Sequence, residues 1–146
     1  MMIAHVALWV TDLEAMKDFY AVNFGATANA LYDNRAKGFS SYFLSFPGGA
    51  RLELMRKDSI VERSRLEGSE RSLLPDEMPG FAHLAFSCGT DADVDRLTRE
   101  FSDRGIEVVS APRRTGDGYY ESIIRDPEGN LLEITADVAK ATATSP

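Results

Sequence analysis

Cysteine is nearly missing from this 146-residue chain, where Cys88 stands alone. One thiol cannot close an internal disulfide or build a thiolate-rich metal site, so the reducing cytoplasm is the expected location. No apolar run approaches the roughly 20 residues of a membrane span. The opening residues also lack a basic stretch followed by an apolar core, so neither membrane insertion nor secretion is expected. Positive charge is in deficit, with 16 Lys and Arg against 23 Asp and Glu and a net charge of −7. That balance argues against nucleic acid as a partner, because neutralising phosphates needs a basic face. Histidine is scarce too, with only two in the chain. What is present, 44% apolar and 27% charged residues, is the composition of an ordinary globular protein and excludes a disordered chain.

The two histidines lead to an internal repeat. Ile3-Ala4-His5-Val6-Ala7-Leu8 returns as Phe81-Ala82-His83-Leu84-Ala85-Phe86. Thr11-Asp12 returns as Thr90-Asp91, Gly25 as Gly105, and the Pro47–Leu54 stretch as Pro127–Ile134. The landmarks keep their order at an offset of about 80 residues, which marks a duplicated module.

Each half reads as the same string of elements. An alternating strand carries the histidine, over Ile3–Val10 and Phe81–Ser87. Thr11-x-x-Glu14 reads as a capping box for a helix with Met16, Tyr20 and Phe24 on one face, stopped by Gly25. Thr90 precedes a second helix with Val94, Leu97, Thr98 and Phe101 inward, closed by Gly105. Three strands follow in each half, at about 26–32, 40–46 and 50–56, then about 106–110, 119–125 and 131–135. The fold class is therefore α+β, βαβββ twice. Residues 1–135 form one domain of modules 1–56 and 80–135, joined by a linker, 57–79. That linker is rich in charge and reads either as a solvated connection with a short helix or as an active-site lid. Residues 136–146 form a small, polar tail that either frays or docks on a partner chain.

Glu53 and Glu133 also occupy equivalent positions of the repeat, each inside an otherwise apolar strand. A lone strand histidine is ordinarily a core or interface residue, and a strand glutamate ordinarily faces solvent. A carboxylate among leucines is costly to bury without a partner. Four such residues in register of one repeat favour a different reading, a divalent-metal site with nitrogen and oxygen ligands. Such a donor set suits zinc, nickel, cobalt, manganese or iron(II).

With the histidine strand, the helix ending in Phe24-Gly25, the Asp126-Pro127-x-Gly129-Asn130 turn and the Leu-Glu-Ile close, the sequence resembles the vicinal oxygen chelate superfamily. That superfamily includes glyoxalase I, methylmalonyl-CoA epimerase, extradiol dioxygenases and bleomycin-binding proteins. The resemblance implies paired modules whose mixed sheets curl into a cup around one divalent metal ion. His5, Glu53, His83 and Glu133 match the His/Glu/His/Glu ligand pattern of bacterial-type glyoxalase I. The implied activity is a lyase or isomerase that moves a proton on a small substrate chelating the metal through adjacent oxygens. Glu133 is the implied base, with Glu53 opposite it. An epimerase of the methylmalonyl-CoA type and a drug-binding protein of the bleomycin-resistance type are the alternatives. The resemblance also implies a homodimer, with the site formed either within one chain or across two.

The pattern departs at Trp9 and Lys57, where bacterial-type glyoxalase I places the arginine and asparagine that hold glutathione. Strand alternation puts Arg51 and Met55 on the face of Glu53, and Ala7 and Trp9 on that of His5. Arg51 either holds a substrate anion or is an ordinary surface arginine. Trp9 either walls the cup or packs in the core. Tyr119, Tyr120 and Glu121 either border the cup or pack as plain strand residues, with Tyr120 the candidate substrate contact.

Overall fold

The computed structural model describes residues 1–60 and 80–137. Most of the expected linker and most of the tail lie outside the described residues, and with them the lid and docking readings. The chain divides into two compact units, Met1–Met78 and Pro79–Pro146. In each, the described residues form one mixed sheet and one α-helix, which is the α+β class expected.

The first unit runs β1 (His5–Trp9), α1 (Leu13–Phe24), β2 (Thr27–Ala28), β3 (Tyr32–Asn34), a 3-10 turn (Arg35–Lys37), β4 (Phe39–Ser45) and β5 (Arg51–Lys57). The sheet order is β1-β5-β4-β2, with β3 also on β4. β1 lies parallel to β5, and the other pairs are antiparallel. Helix α1 buries Leu13, Met16 and Tyr20, and the sheet buries Tyr42, Leu44, Leu52 and Leu54. Each such side chain contributes roughly 1.5–3 kcal/mol on burial. Because these alternate along β4 and β5, Phe43, Arg51, Glu53 and Met55 must stand on the face away from α1.

Two local expectations change. The helix cap is Asp12 and not Thr11: the Asp12 carboxylate accepts a hydrogen bond from the Ala15 amide at 2.9 Å. Glu14 does not reach back to form a capping box, since it binds Lys17 and accepts from the Tyr42 hydroxyl at 2.7 Å. The single strand expected over 26–32 is broken into β2 and β3. Asn29 sits at the break, its amide donating to the Phe43 carbonyl and its side-chain oxygen accepting from the Phe43 amide.

The second unit runs β6 (Leu84–Ser87), α2 (Asp91–Asp103), β7 (Val108–Arg114), β8 (Tyr120–Arg125) and β9 (Leu131–Thr135). Its order is β6-β9-β8-β7, again with a parallel pair, β6 and β9. Thr90 and Asp93 complete a reciprocal capping box for α2. Val94, Thr98 and Phe101 are buried, as are Ser122, Ile124, Leu132 and Ile134 of the sheet, and Leu97 is half-buried. β7 is longer than expected and carries register shifts around Pro112, which is tolerated because β7 is an edge strand. The Asp126 carboxylate accepts from the amides of Glu128 and Asn130 and from the Asn130 side chain, closing the β8–β9 turn.

Candidate metal centre

The two parallel ladders have the same register. Ala7 lies opposite Glu53 in the first unit, and Ala85 lies opposite Glu133 in the second. His5 and His83 each stand two residues before that alanine, so each histidine reaches diagonally toward its glutamate on one sheet face. His5 Nε2 lies 3.7 Å from Glu53 Oε2, and His83 Nε2 lies 3.1 Å from Glu133 Oε2. The imidazoles are 41% exposed and the carboxylates only 15% and 14%. The carboxylates are thus held by the sheet, and the imidazoles stay reachable from solvent.

Glu133 has a further neighbour. Its carboxyl is pushed above the usual range, first by burial and then by the adjacent Glu121 carboxylate, with His83 opposing. Glu121 is itself buried and is held by Arg113 at 3.3 Å. Neither Glu121 nor Arg113 carries the repeat signature that marks the pairs. Alternation and register would have pointed to Glu121, because Ile123 faces Glu133 and Glu121 lies on the same side of β8.

The same alternation turns Tyr120 away. Its hydroxyl donates to Asp95 of α2 at 2.8 Å, and Arg114 lies over its ring. The structure therefore places Tyr120 on the helix side of the sheet, opposite the face of Glu133, and does not bring it to the histidine–glutamate pair. Tyr119 is exposed at the start of the strand.

In the first unit the face around His5 is aromatic. The Phe43 ring meets His5 edge-on at 5.3 Å, and the Arg51 guanidinium lies 4.5 Å over the same ring. Arg51 pairs with His5 in the ladder, which fixes the two as neighbours. Farther along, Trp9 meets Phe39 edge-on at 6.2 Å, and Phe39 meets Tyr32 at 6.1 Å. Trp9 is 53% exposed, so it is not a core residue. Lys57 is exposed at the far end of β5.

Each pair suits two positions of a divalent ion. Ligands about 2.1 Å from a metal at right angles lie about 3 Å apart, which the His83–Glu133 spacing matches and the 3.7 Å His5–Glu53 spacing exceeds. Among the described residues no group of three or more His, Cys, Asp or Glu forms a ready metal set. Two donors is therefore what each unit supplies.

Comparison with known proteins agrees with this architecture. The family model of the glyoxalase/bleomycin resistance protein/dioxygenase superfamily matches residues 2–134. A biphenyl-2,3-diol 1,2-dioxygenase from Rhodococcus globerulus is 30% identical over 140 residues, 92% of this chain and 63% of that protein. A virulence protein of Salmonella typhimurium is 32% identical over 136 residues, covering 91% of this chain and 82% of that protein. Among solved structures, glyoxalase I from Zea mays superposes with a TM-score of 0.70 at 20% identity, over 94% of this chain and 46% of that one. The chain thus spans about two thirds or less of the dioxygenase and about half of the maize enzyme. Proteins of this family bind small molecules and commonly use a metal ion. No helix among the described residues is long and apolar enough to cross a membrane. The chain belongs to the glyoxalase/bleomycin resistance protein/dioxygenase superfamily.

Proposed function

We propose that the protein is a divalent-metal-dependent lyase or isomerase of the glyoxalase I kind. In this reading His5, Glu53, His83 and Glu133 hold one ion, and a small substrate meets it through two adjacent oxygens. The observation that carries the reading is the identical register of the two histidine–glutamate pairs, Ala7 against Glu53 and Ala85 against Glu133. Duplication alone explains the shared register, but not why both halves keep a histidine and a glutamate at these positions of it.

When bound, such an ion supplies Lewis acidity, stabilising negative charge as it develops on a substrate oxygen. The chain's own residues do the rest. Glu133 accepts the carbon-bound proton at a carboxylate oxygen. Glu53, on the equivalent strand, returns the proton or takes it from the other side. Glu121, fixed by Arg113, keeps Glu133 oriented and tunes it. Trp9 and Phe39 give the first unit's face an apolar surface for the rest of the substrate. The Rhodococcus relative is named for a substrate with two neighbouring hydroxyls, the same chelating pattern.

The test is metal content per chain, measured by mass spectrometry on untagged protein, beside His83→Ala and Glu53→Gln. The reading expects one zinc, nickel, cobalt, manganese or iron per site, lost in both variants. It also expects a homodimer with one ion for every two histidine–glutamate pairs. No retained metal after incubation with each ion would return the four residues to a structural role. A ligand-binding protein of the bleomycin-resistance type would then be the better account. If metal binds, proton exchange at a carbon bearing a free coenzyme A thioester, without lysis, would identify the epimerase.

A further inference from the structure

The repeat is symmetric in its histidines and glutamates but not in what stands beside them. Arg51 pairs with His5 in the first ladder. The equivalent residue of the second half of the repeat is Leu131. The first unit's histidine–glutamate pair therefore has a cation beside it where the repeat puts a leucine in the second half.

In a protein of net charge −7, Arg35, Arg56, Arg96, Arg113, Arg114 and Arg125 all have carboxylate partners. Arg51 has no carboxylate partner among the described residues. It lies instead over the Phe43 ring, 4.5 Å from its centre, and His5 meets the same ring edge-on. Stacking on a ring holds the guanidinium plane while leaving its N–H edge free to donate. A planar fork with free donors matches a carboxylate bidentately. Its side chain shares the sheet face of Glu53, so the donors sit beside the His5–Glu53 pair.

We infer that Arg51 is a specificity-determining residue that binds the carboxylate of an anionic chelating substrate, such as a hydroxy or keto acid. The inference rests on the metal reading above and adds the substrate's charge to it. Trp9 cannot supply this contact, since its indole donates a single hydrogen bond and carries no charge.

The experiment uses the full-length, metal-loaded protein and two probes that chelate through the same two oxygens. Acetohydroxamate is neutral apart from the chelating group, and succinic monohydroxamate carries an added carboxylate. Binding is followed by the fluorescence of Trp9, the only tryptophan, and by calorimetry. The succinyl probe is expected to bind about tenfold more tightly, the scale of one charge-assisted hydrogen-bonded pair. In Arg51→Met that preference should fall below about twofold, while acetohydroxamate binding and the melting temperature hold. Arg51→Lys should keep part of the preference and lose it at high salt, because a point charge screens without the fork's directionality. Equal binding of the two probes by the unaltered protein, or a preference that survives Arg51→Met, would overturn the inference and leave the metal reading standing. Absence of metal from the protein would overturn both.

Discussion

His83 Nε2 lies 3.1 Å from Glu133 Oε2, while the equivalent atoms of His5 and Glu53 are 3.7 Å apart. The two halves share one ladder register yet differ in how tightly each pair is closed. The tighter pair is the one crowded by a second carboxylate, Glu121. Charge on Glu133 is therefore disfavoured in the folded, metal-free protein.

Metal-free Glu133→Gln should on that account melt higher than the parent at pH 7. The sign follows from linkage: a carboxyl whose folded pKa is raised contributes most stability below its unfolded value of about 4.3. That contribution is lost as pH rises through the folded pKa. The glutamine cannot ionise, so the gain should be present at neutral pH and vanish near pH 4. Thermal melts at the two pH values check this, and a destabilised variant at pH 7 would refute it. The same substitution should weaken metal retention, which is the ordinary opposition of stability and function at a site.

The metal-pair candidates and the fold class were legible in the sequence because a repeat multiplies weak signals. His5 alone says little, whereas His5, Glu53, His83 and Glu133 in register say a good deal. Tyr120 was less legible because composition drew attention to a Tyr-Tyr-Glu run, and only the register decides which member faces which side. Pairing of Ile123 with Glu133 turns Glu121 toward the site and Tyr120 toward Asp95. The Thr11 cap misled because Thr-x-x-Glu fits the capping pattern, but Tyr42, 28 residues away, takes Glu14. Tertiary contacts of that kind lie outside any local window.

Thr98 and Ser122 provide a buried polar test of the second unit's core. Their hydroxyl oxygens are 2.7 Å apart, with Ser122 fully buried and Thr98 nearly so. Thr98 also donates to the Val94 carbonyl, so Ser122 donates to Thr98. Thr98→Val strands the Ser122 hydroxyl and should cost about 1–3 kcal/mol in denaturant unfolding. Adding Ser122→Ala should recover much of that loss, because two apolar groups leave nothing unsatisfied. A double variant as unstable as the sum of its singles would show that packing and not the hydroxyl pair dominates.

Acid stability should depend on the second helix cap. Asp93 is held down to about 2 by hydrogen bonds from the Thr90 side chain and amide and then by Arg96. A depressed carboxyl contributes stability above its unfolded value of about 3.9, and that stability is lost as pH falls toward 2. Asp93→Asn should therefore flatten the acid limb of the stability curve between about pH 4 and 2. Thr90→Ala, which removes the other half of the box, should cost about 1 kcal/mol at neutral pH. Parallel acid titrations of the two variants, followed by circular dichroism, separate the charge effect from the cap.

Gly25 and Gly48 should respond oppositely to alanine. Gly25 ends α1 at φ +64, in the left-handed region, and an added Cβ meets nothing within 4 Å. The penalty there is purely conformational, so Gly25→Ala should destabilise by about 1 kcal/mol. Gly48 also has open space around an added Cβ, but its φ lies outside that region. Gly48→Ala restricts the unfolded chain without straining the folded one and should stabilise by about 0.4–1 kcal/mol. Chemical denaturation of both variants tests the pair, and a stabilised Gly25→Ala would mean that α1 ends in a different backbone conformation. Because α1 buries Met16 and Tyr20 against the sheet that carries Glu53, loosening its end should also raise the rate at which the first unit exchanges its strand amides.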